Sequence, residues 1–228
     1  MFNVTYKNQT PATFGCWLAT IPIITPSSLV RTRQTVVGMD GELLGDDTSY
    51  SDAQCDFTIH AKSDTLQAKL RDIRKWLSGT GKLIISDHTD AYYEVKEVTY
   101  TTFLKKDAKY GRIAVSMKLY PYEFLDSGDT GITSYASINN TAMDSLPLYK
   151  IVGNGSGKLT VNGNEMSFTV SGTLYIDTRR KIAYDGNGAG ADGNINGDYD
   201  KLKLVSGANT ITCTAGTLTV YARWGYRI

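Results

Sequence analysis

LQAKLRDIRKWLSGTGKLIISDHTDAYYEV, residues 66–95, opens with helical spacing and closes with strand alternation. Leu66, Leu70, Ile73 and Leu77 recur at i, i+4, i+7 and i+11, one apolar stripe on an α-helix. Lys69, Arg71, Asp72 and Lys75 lie mostly off that stripe. Asp64 is placed to act as N-cap, with Gln67 three residues on, and Gly79 suits the left-handed position beyond the last turn. A helix is therefore expected over 64–78. It is followed directly by two strand-like runs, KLIIS (82–86) and YYEVKEVTY (92–100). An apolar helix stripe must pack on something. Since the rest of the chain reads as strand, the helix must cover one face of a sheet.

Working outward, FGCWLA (14–19), LVRTRQTVV (29–37), AQCDFTIHAK (53–62) and RIAVSMKLYPY (112–122) add further period-two or apolar segments. GMDGELLGDD (38–47) carries an Asp-Gly turn inside a long ribbon, which predicts a hairpin arm over about 31–52 leaving the sheet. Residues 124–145 are polar and weakly periodic, so a domain boundary is expected there, with a first domain over 1–130 and a second over 131–228. Beyond it, eight short strand-like segments with frequent turns have the texture of an antiparallel sandwich or jelly roll, with Asn162-Gly163 as a tight hairpin turn. In TLTVYARWGY, alternation puts Leu218, Val220, Ala222 and Trp224 on the core face and turns Tyr221 and Arg223 outward.

Catalytic signals are absent. The two histidines, His60 and His88, read as surface residues, and no Gly-x-Ser-x-Gly, HExxH or phosphate-binding loop occurs. Three scattered cysteines, Cys16, Cys55 and Cys213, give neither a disulfide framework nor metal spacing, and fit a reducing cytoplasm. No signal peptide or membrane-spanning run is read. A formal net charge of +1 gives the chain no overall pull toward nucleic acid or anionic lipid. The one patch with metal-like chemistry is the loop at 185–200. There Asp192, Asn194, Asn196 and Asp198 match the first half of a calcium loop, but Lys203 stands where a bidentate Glu belongs. Tyr199 and Tyr221 are the candidates for glycan contact, and they carry the alternative reading of a two-domain carbohydrate-binding or adhesion module. No catalytic residue and no cofactor is expected.

Six stretches together resemble the distal tail protein, or tail hub, of long non-contractile-tailed bacteriophages. VVGMDGELLGDDTSYSDAQCDFTI is similar to that family's arm and following strand. IRKWLSGTGKLIISDHTDAYYEV is similar to its helix and hairpin, and VSMKLYPYEFL to the strand closing its first domain. GSGKLTVNG, LYIDTRRKIAYDG and DYDKLKLVSGANTI resemble strands and a turn of its second domain. Two positions depart from the pattern: the turn at 87–90 has no proline, and Met39 stands where a basic residue is common.

The resemblance implies a mainly β protein. Its N-terminal β-sandwich would carry one packed helix and an arm, and its C-terminal domain would be a galectin-like or jelly-roll sandwich. It implies a structural subunit of the virion, assembled in the host cytoplasm, that forms a six-membered ring. The ring would join the tail tube protein to a tail-tip, fibre or receptor-binding protein and let DNA pass without holding it. Met39, Asp40, Glu42, Leu43 and Leu44 of the arm are the expected ring contacts.

Overall fold

The computed structural model describes residues 3–38, 40–45, 49–62, 66–101, 104–105 and 109–228. The chain forms two compact units. One runs up to Glu123 and takes back Arg227 and Ile228, and the other is Phe124–Tyr226. The junction thus lies a few residues before the expected residue 130, inside a strand rather than a linker. Residues 124–145, read as a polar connection, belong to the second unit.

In the first unit, strands β1 (Val4–Tyr6), β2 (Cys16–Leu18), β3 (Ile23–Thr25), β4 (Arg33–Gln34), β5 (Leu43–Leu44) and β6 (Ala53–Lys62) precede helix α1 (Leu66–Trp76). Then come β7 (Gly81–Ile85), β8 (His88–Tyr100), β9 (Leu104–Lys105) and β10 (Tyr110–Leu125). The sheet order is β1-β7-β8-β10-β6-β2, with β3 also on β6 and β9 on β10. β6 and β10 pair antiparallel from Tyr110↔Lys62 to Leu119↔Ala53. Their inward positions, Cys55, Phe57, Ile59, Ile113, Val115, Met117 and Leu119, are buried while the residues between them are not. That is the period-two pattern of a half-buried sheet.

Helix α1 closes this core with Leu70, Ile73, Trp76 and Leu77, all buried. Full burial of a side chain such as Ile73 contributes about 1.5–3 kcal/mol. The proposed cap Asp64 lies outside the described residues. At the other end Gly79 has φ +74, the left-handed conformation that the sequence calls for there. Trp76, which the stripe did not include, donates Nε1–H to the Tyr6 carbonyl at 2.9 Å, and the Tyr6 hydroxyl donates to the Gly79 carbonyl at 2.6 Å. The edge strand β1 and the end of the helix are thereby locked together.

The second unit contains β11 (Gly131–Ile132), β12 (Ser137–Asn140), β13 (Leu148–Val161), β14 (Asn164–Asp177), β15 (Ile182–Asp185), β16 (Ile195–Asn196), β17 (Gly207–Cys213) and β18 (Thr217–Tyr221). A last strand, β19 (Gly225–Arg227), leads back into the first unit. The main path is β11-β18-β13-β14-β15; β16 pairs β14, and β17 pairs both β12 and β13. β13 and β14 form one hairpin in register from Leu148↔Asp177 to Val161↔Asn164. Asn162 (φ 50) and Gly163 (φ 81) turn it, the left-handed pair that a two-residue hairpin requires.

Four of the short segments read from sequence are therefore halves of two long strands. The glycines that looked like terminators are bends instead. β13 pairs β18 through Val152 and β17 from Leu159 onward, changing neighbours across Gly153–Gly157. A Cβ on Gly157 would lie 2.6 Å from Ala215 Cβ, so glycine there lets the layers close. Tyr149, Ile151, Leu159, Val161, Met166, Phe168, Leu218 and Val220 fill the core. No helix among the described residues is long and apolar enough to cross a membrane.

Candidate functional site

The arm is a two-stranded ribbon, Arg33↔Leu44 and Gln34↔Leu43, with Gly38 (φ +85) and Gly41 (φ +88) in its turn. Its root is well tied. Val30 N–H donates to the Ser49 carbonyl at 2.9 Å, Ser51 N–H donates to the Ser28 carbonyl at 2.8 Å, and the Ser28 and Ser51 hydroxyls meet at 3.1 Å. The Arg227 guanidinium lies 3.6 Å from the centre of the Tyr50 ring. Farther out, none of the ribbon's described residues is buried. Leu43 and Leu44 are about half exposed (48% and 49%) and Val37 is fully exposed, beside the exposed Asp40 and Glu42. Met39 falls outside the described residues. Apolar side chains held in water on a narrow ribbon gain nothing for the isolated chain, and they become favourable once another surface covers them.

The loop at 185–200 uses its carboxylates on itself. Asp192 Oδ1 accepts from Ala183 N–H at 2.6 Å and from the Tyr199 hydroxyl at 2.7 Å. The Tyr199 bond, then the Ala183 bond, hold the Asp192 carboxyl below its ordinary range. Burial, reinforced by the bond to Asp192, raises the Tyr199 hydroxyl. Asp198 accepts from Asp200 N–H at 3.0 Å and caps the short helical turn Tyr199–Leu202. Asn196 lies in β16 opposite Ser167, and Asn194 is exposed. Among the described residues no group of three or more His, Cys, Asp or Glu is arranged to hold a metal. The same bond makes Tyr199 a latch packed against the core rather than an open ring. Tyr221 is half-buried on β18, between Gly131 and Leu148 on the neighbouring strands.

Arg223 departs from its expected outward position. Alternation holds through Ala222 and breaks at Arg223, which itself adopts φ 52 and whose N–H donates to the Gly128 carbonyl at 2.9 Å. The guanidinium turns inward and grips Asp177 with both arms, at 2.8 and 3.0 Å. Asp177 also accepts from the N–H groups of Arg179 and Arg180 at 3.1 and 3.2 Å. Burial alone would raise this carboxyl, but the Arg223 bonds and charge, with help from Arg180, bring it below its ordinary value. Leu218, Val220 and Ala222 are buried as expected, and Trp224 packs partly against the same core.

Strong nucleophiles are not found among the cysteines. Burial raises all three thiols, Cys55 to about 12. His60 lies against Trp17, ring centres 5.9 Å apart, and His88 is exposed at the start of β8.

No family model matches the chain, and no curated protein matches it in sequence. Among solved structures, the crystal structure of the Dit protein of phage SPP1 superposes with a TM-score of 0.66 at 14% identity, covering 100% of this chain and 99% of that one. That protein is described as a paradigm of the hub adsorption apparatus in phages infecting Gram-positive bacteria. At this identity the likeness is one of fold, and it covers the entire chain rather than the quoted stretches alone. This protein is a mainly β chain with the fold of the phage tail hub protein SPP1 Dit along its whole length.

Proposed function

We propose that this chain is a structural subunit of a phage tail hub. Six copies close into a ring that joins the tail tube protein on one side and a tail-tip, fibre or receptor-binding protein on the other. The observation that carries this reading is the end-to-end likeness to SPP1 Dit, both units included. Three features of the chain support it. The arm offers exposed aliphatic side chains at Leu43 and Leu44 beside Asp40 and Glu42, suited to a neighbouring subunit. A head-to-tail ring needs two unlike, complementary surfaces on each copy, and a projecting ribbon supplies one. The carboxylates, thiols and tyrosines whose acidity is displaced are buried or engaged in structural bonds, so the chain acts by shape rather than by transforming a substrate.

The near-neutral charge fits a lumen through which DNA passes. Each Lys or Arg presented to phosphate strengthens retention, so a strongly basic channel would slow ejection. The virion is then the protein's place of action. Light scattering with negative-stain microscopy tests the reading: six chains of 25.0 kDa give annular particles of about 150 kDa. A chain that stays monomeric over the whole soluble concentration range, with or without the tube protein, contradicts it.

A further inference from the structure

The outward face of the first unit carries a depression where a sheet usually carries bulk. Ala114 lies opposite Thr58, and Ser116 opposite Asp56, which in turn faces Ile23. From β8, the Thr99 hydroxyl donates to the Ser116 carbonyl at 3.2 Å, and Ala114 N–H donates to the Thr101 hydroxyl at 3.3 Å. Two successive rows across neighbouring strands are thus floored by Thr, Ala and Ser. Bulkier rows flank them, Trp17–His60–Arg112 on one side and Thr25–Gln54–Lys118 on the other. The result is an open trough of about 420 Å³ with Ile23, Tyr100 and Thr20 among its walls. Ile23 is 64% exposed, and Asp56, held by the Gln54 amide at 2.8 and 3.0 Å, is the carboxylate in its lining.

We propose that this trough receives the tip of the arm from a second copy of the chain. The inference rests on the assembly reading above and supplies the receiving surface that reading lacks. Chemistry and shape agree. The ribbon presents Val37, Leu43 and Leu44, short aliphatic groups that fit a shallow floor of methyls and hydroxyls with an isoleucine and a tyrosine beside it. It also carries the exposed Arg31 and Arg33 toward a trough whose lining charge is the Asp56 carboxylate. Arg33 pairs with Glu42 at 3.5 Å with both side chains well exposed, a pairing weak enough to exchange for a new partner. The chain's own arm does not fill its own trough: Val37 is fully exposed, and no residue of the arm is among those lining the trough. A knob on one copy and a hole on the next, formed by different residues of the chain, make a heterologous contact that propagates around a ring.

Mixing two variants of the full chain, Val37→Cys and Ser116→Cys, each with Cys213 replaced by Ser so that the remaining native cysteines, Cys16 and Cys55, are buried, and adding a short bismaleimide tests the contact. Covalent dimers at least tenfold above those from either variant alone support it. A second variant, Ala114→Arg, places bulk and positive charge in the trough at an exposed position, and its circular dichroism and melting reveal any folding defect. With folding intact, at least a tenfold loss in apparent self-association supports the proposal. Rings that form without the Val37–Ser116 cross-link, or that tolerate Ala114→Arg, overturn the docking and leave the hub reading standing. A chain that is monomeric throughout overturns both.

Discussion

Replacing Arg223 by Met isolates the charge of the buried Asp177–Arg223 pair in the second unit. Both residues are unbranched, so the backbone cost of φ 52 is shared and what changes is the partner of Asp177. The Asp177 side chain is 2% exposed and Arg223 19%, so the pair is largely removed from water. Breaking a buried pair from one side costs about 3–5 kcal/mol, because the remaining charge is left without its counterion. Here two backbone N–H groups and a more distant Arg180, 4.0 Å away, remain on the carboxylate, so the lower end applies, about 3 kcal/mol.

The pH dependence has a definite sign. In the wild type the folded-state carboxyl is depressed, so its contribution is present above the ordinary carboxylate range and is lost as pH falls through the folded value. In Arg223→Met, burial is no longer offset and the folded carboxyl shifts upward, so acidification relieves that variant while it weakens the parent. The gap between them must narrow as pH falls toward about 4. Urea unfolding read by amide exchange in the β13–β14 hairpin reports this unit whether or not both units unfold together. A cost below about 1 kcal/mol at pH 7, or a gap that widens in acid, would refute the assignment of Asp177 and Arg223 as a stabilising buried pair.

Three further outcomes are expected. Trp76→Phe removes the buried donor to the Tyr6 carbonyl and part of the packing against Phe14, whose ring centre lies 5.2 Å away; it should cost about 1–3 kcal/mol in the first unit by urea titration. Gly128→Ala would set a Cβ 2.3 Å from the Trp224 backbone nitrogen, so it should destabilise by about 1–3 kcal/mol, whereas Gly163→Ala meets no neighbour and costs about 1 kcal/mol, from its positive φ alone. Comparing the two melting temperatures separates crowding from backbone strain. Leu43→Asp with Leu44→Asp should leave the melting curve within about 0.5 kcal/mol of the parent, since neither leucine is buried, yet abolish ring formation by light scattering.

What could be read in the sequence was what depends on local periodicity. The Leu70–Ile73–Leu77 stripe, the β6 and β10 alternation and the Asn162-Gly163 turn each follow from neighbours a few residues apart, and the structure repeats them. Trp76 was within reach, three residues after Ile73 and so on the same helix face. The long β13 and β14 strands were missed because glycine within a strand and glycine at its end look alike in sequence. Only the closeness of Ala215 and Gly216 shows that Gly157 and Gly153 are needed mid-strand. Arg223 misled for a related reason: alternation was carried past a residue whose positive φ ends it. Its partner Asp177 is 46 residues away, a separation that no pattern encodes. The trough left a faint mark, the short Ala114 and Ser116 between the long Arg112 and Lys118 on the outward side of β10, but its floor required the register with Thr58 and Asp56.

The central claim is that this chain works as a ring at the distal end of a phage tail tube. Electron cryomicroscopy of virions that contain it tests that most directly. The account predicts an annulus of six copies, each unit fitting its own density, between the last tube ring and the tip proteins, with an open lumen. Finding the chain elsewhere in the particle, or a distal end without such an annulus, would contradict it.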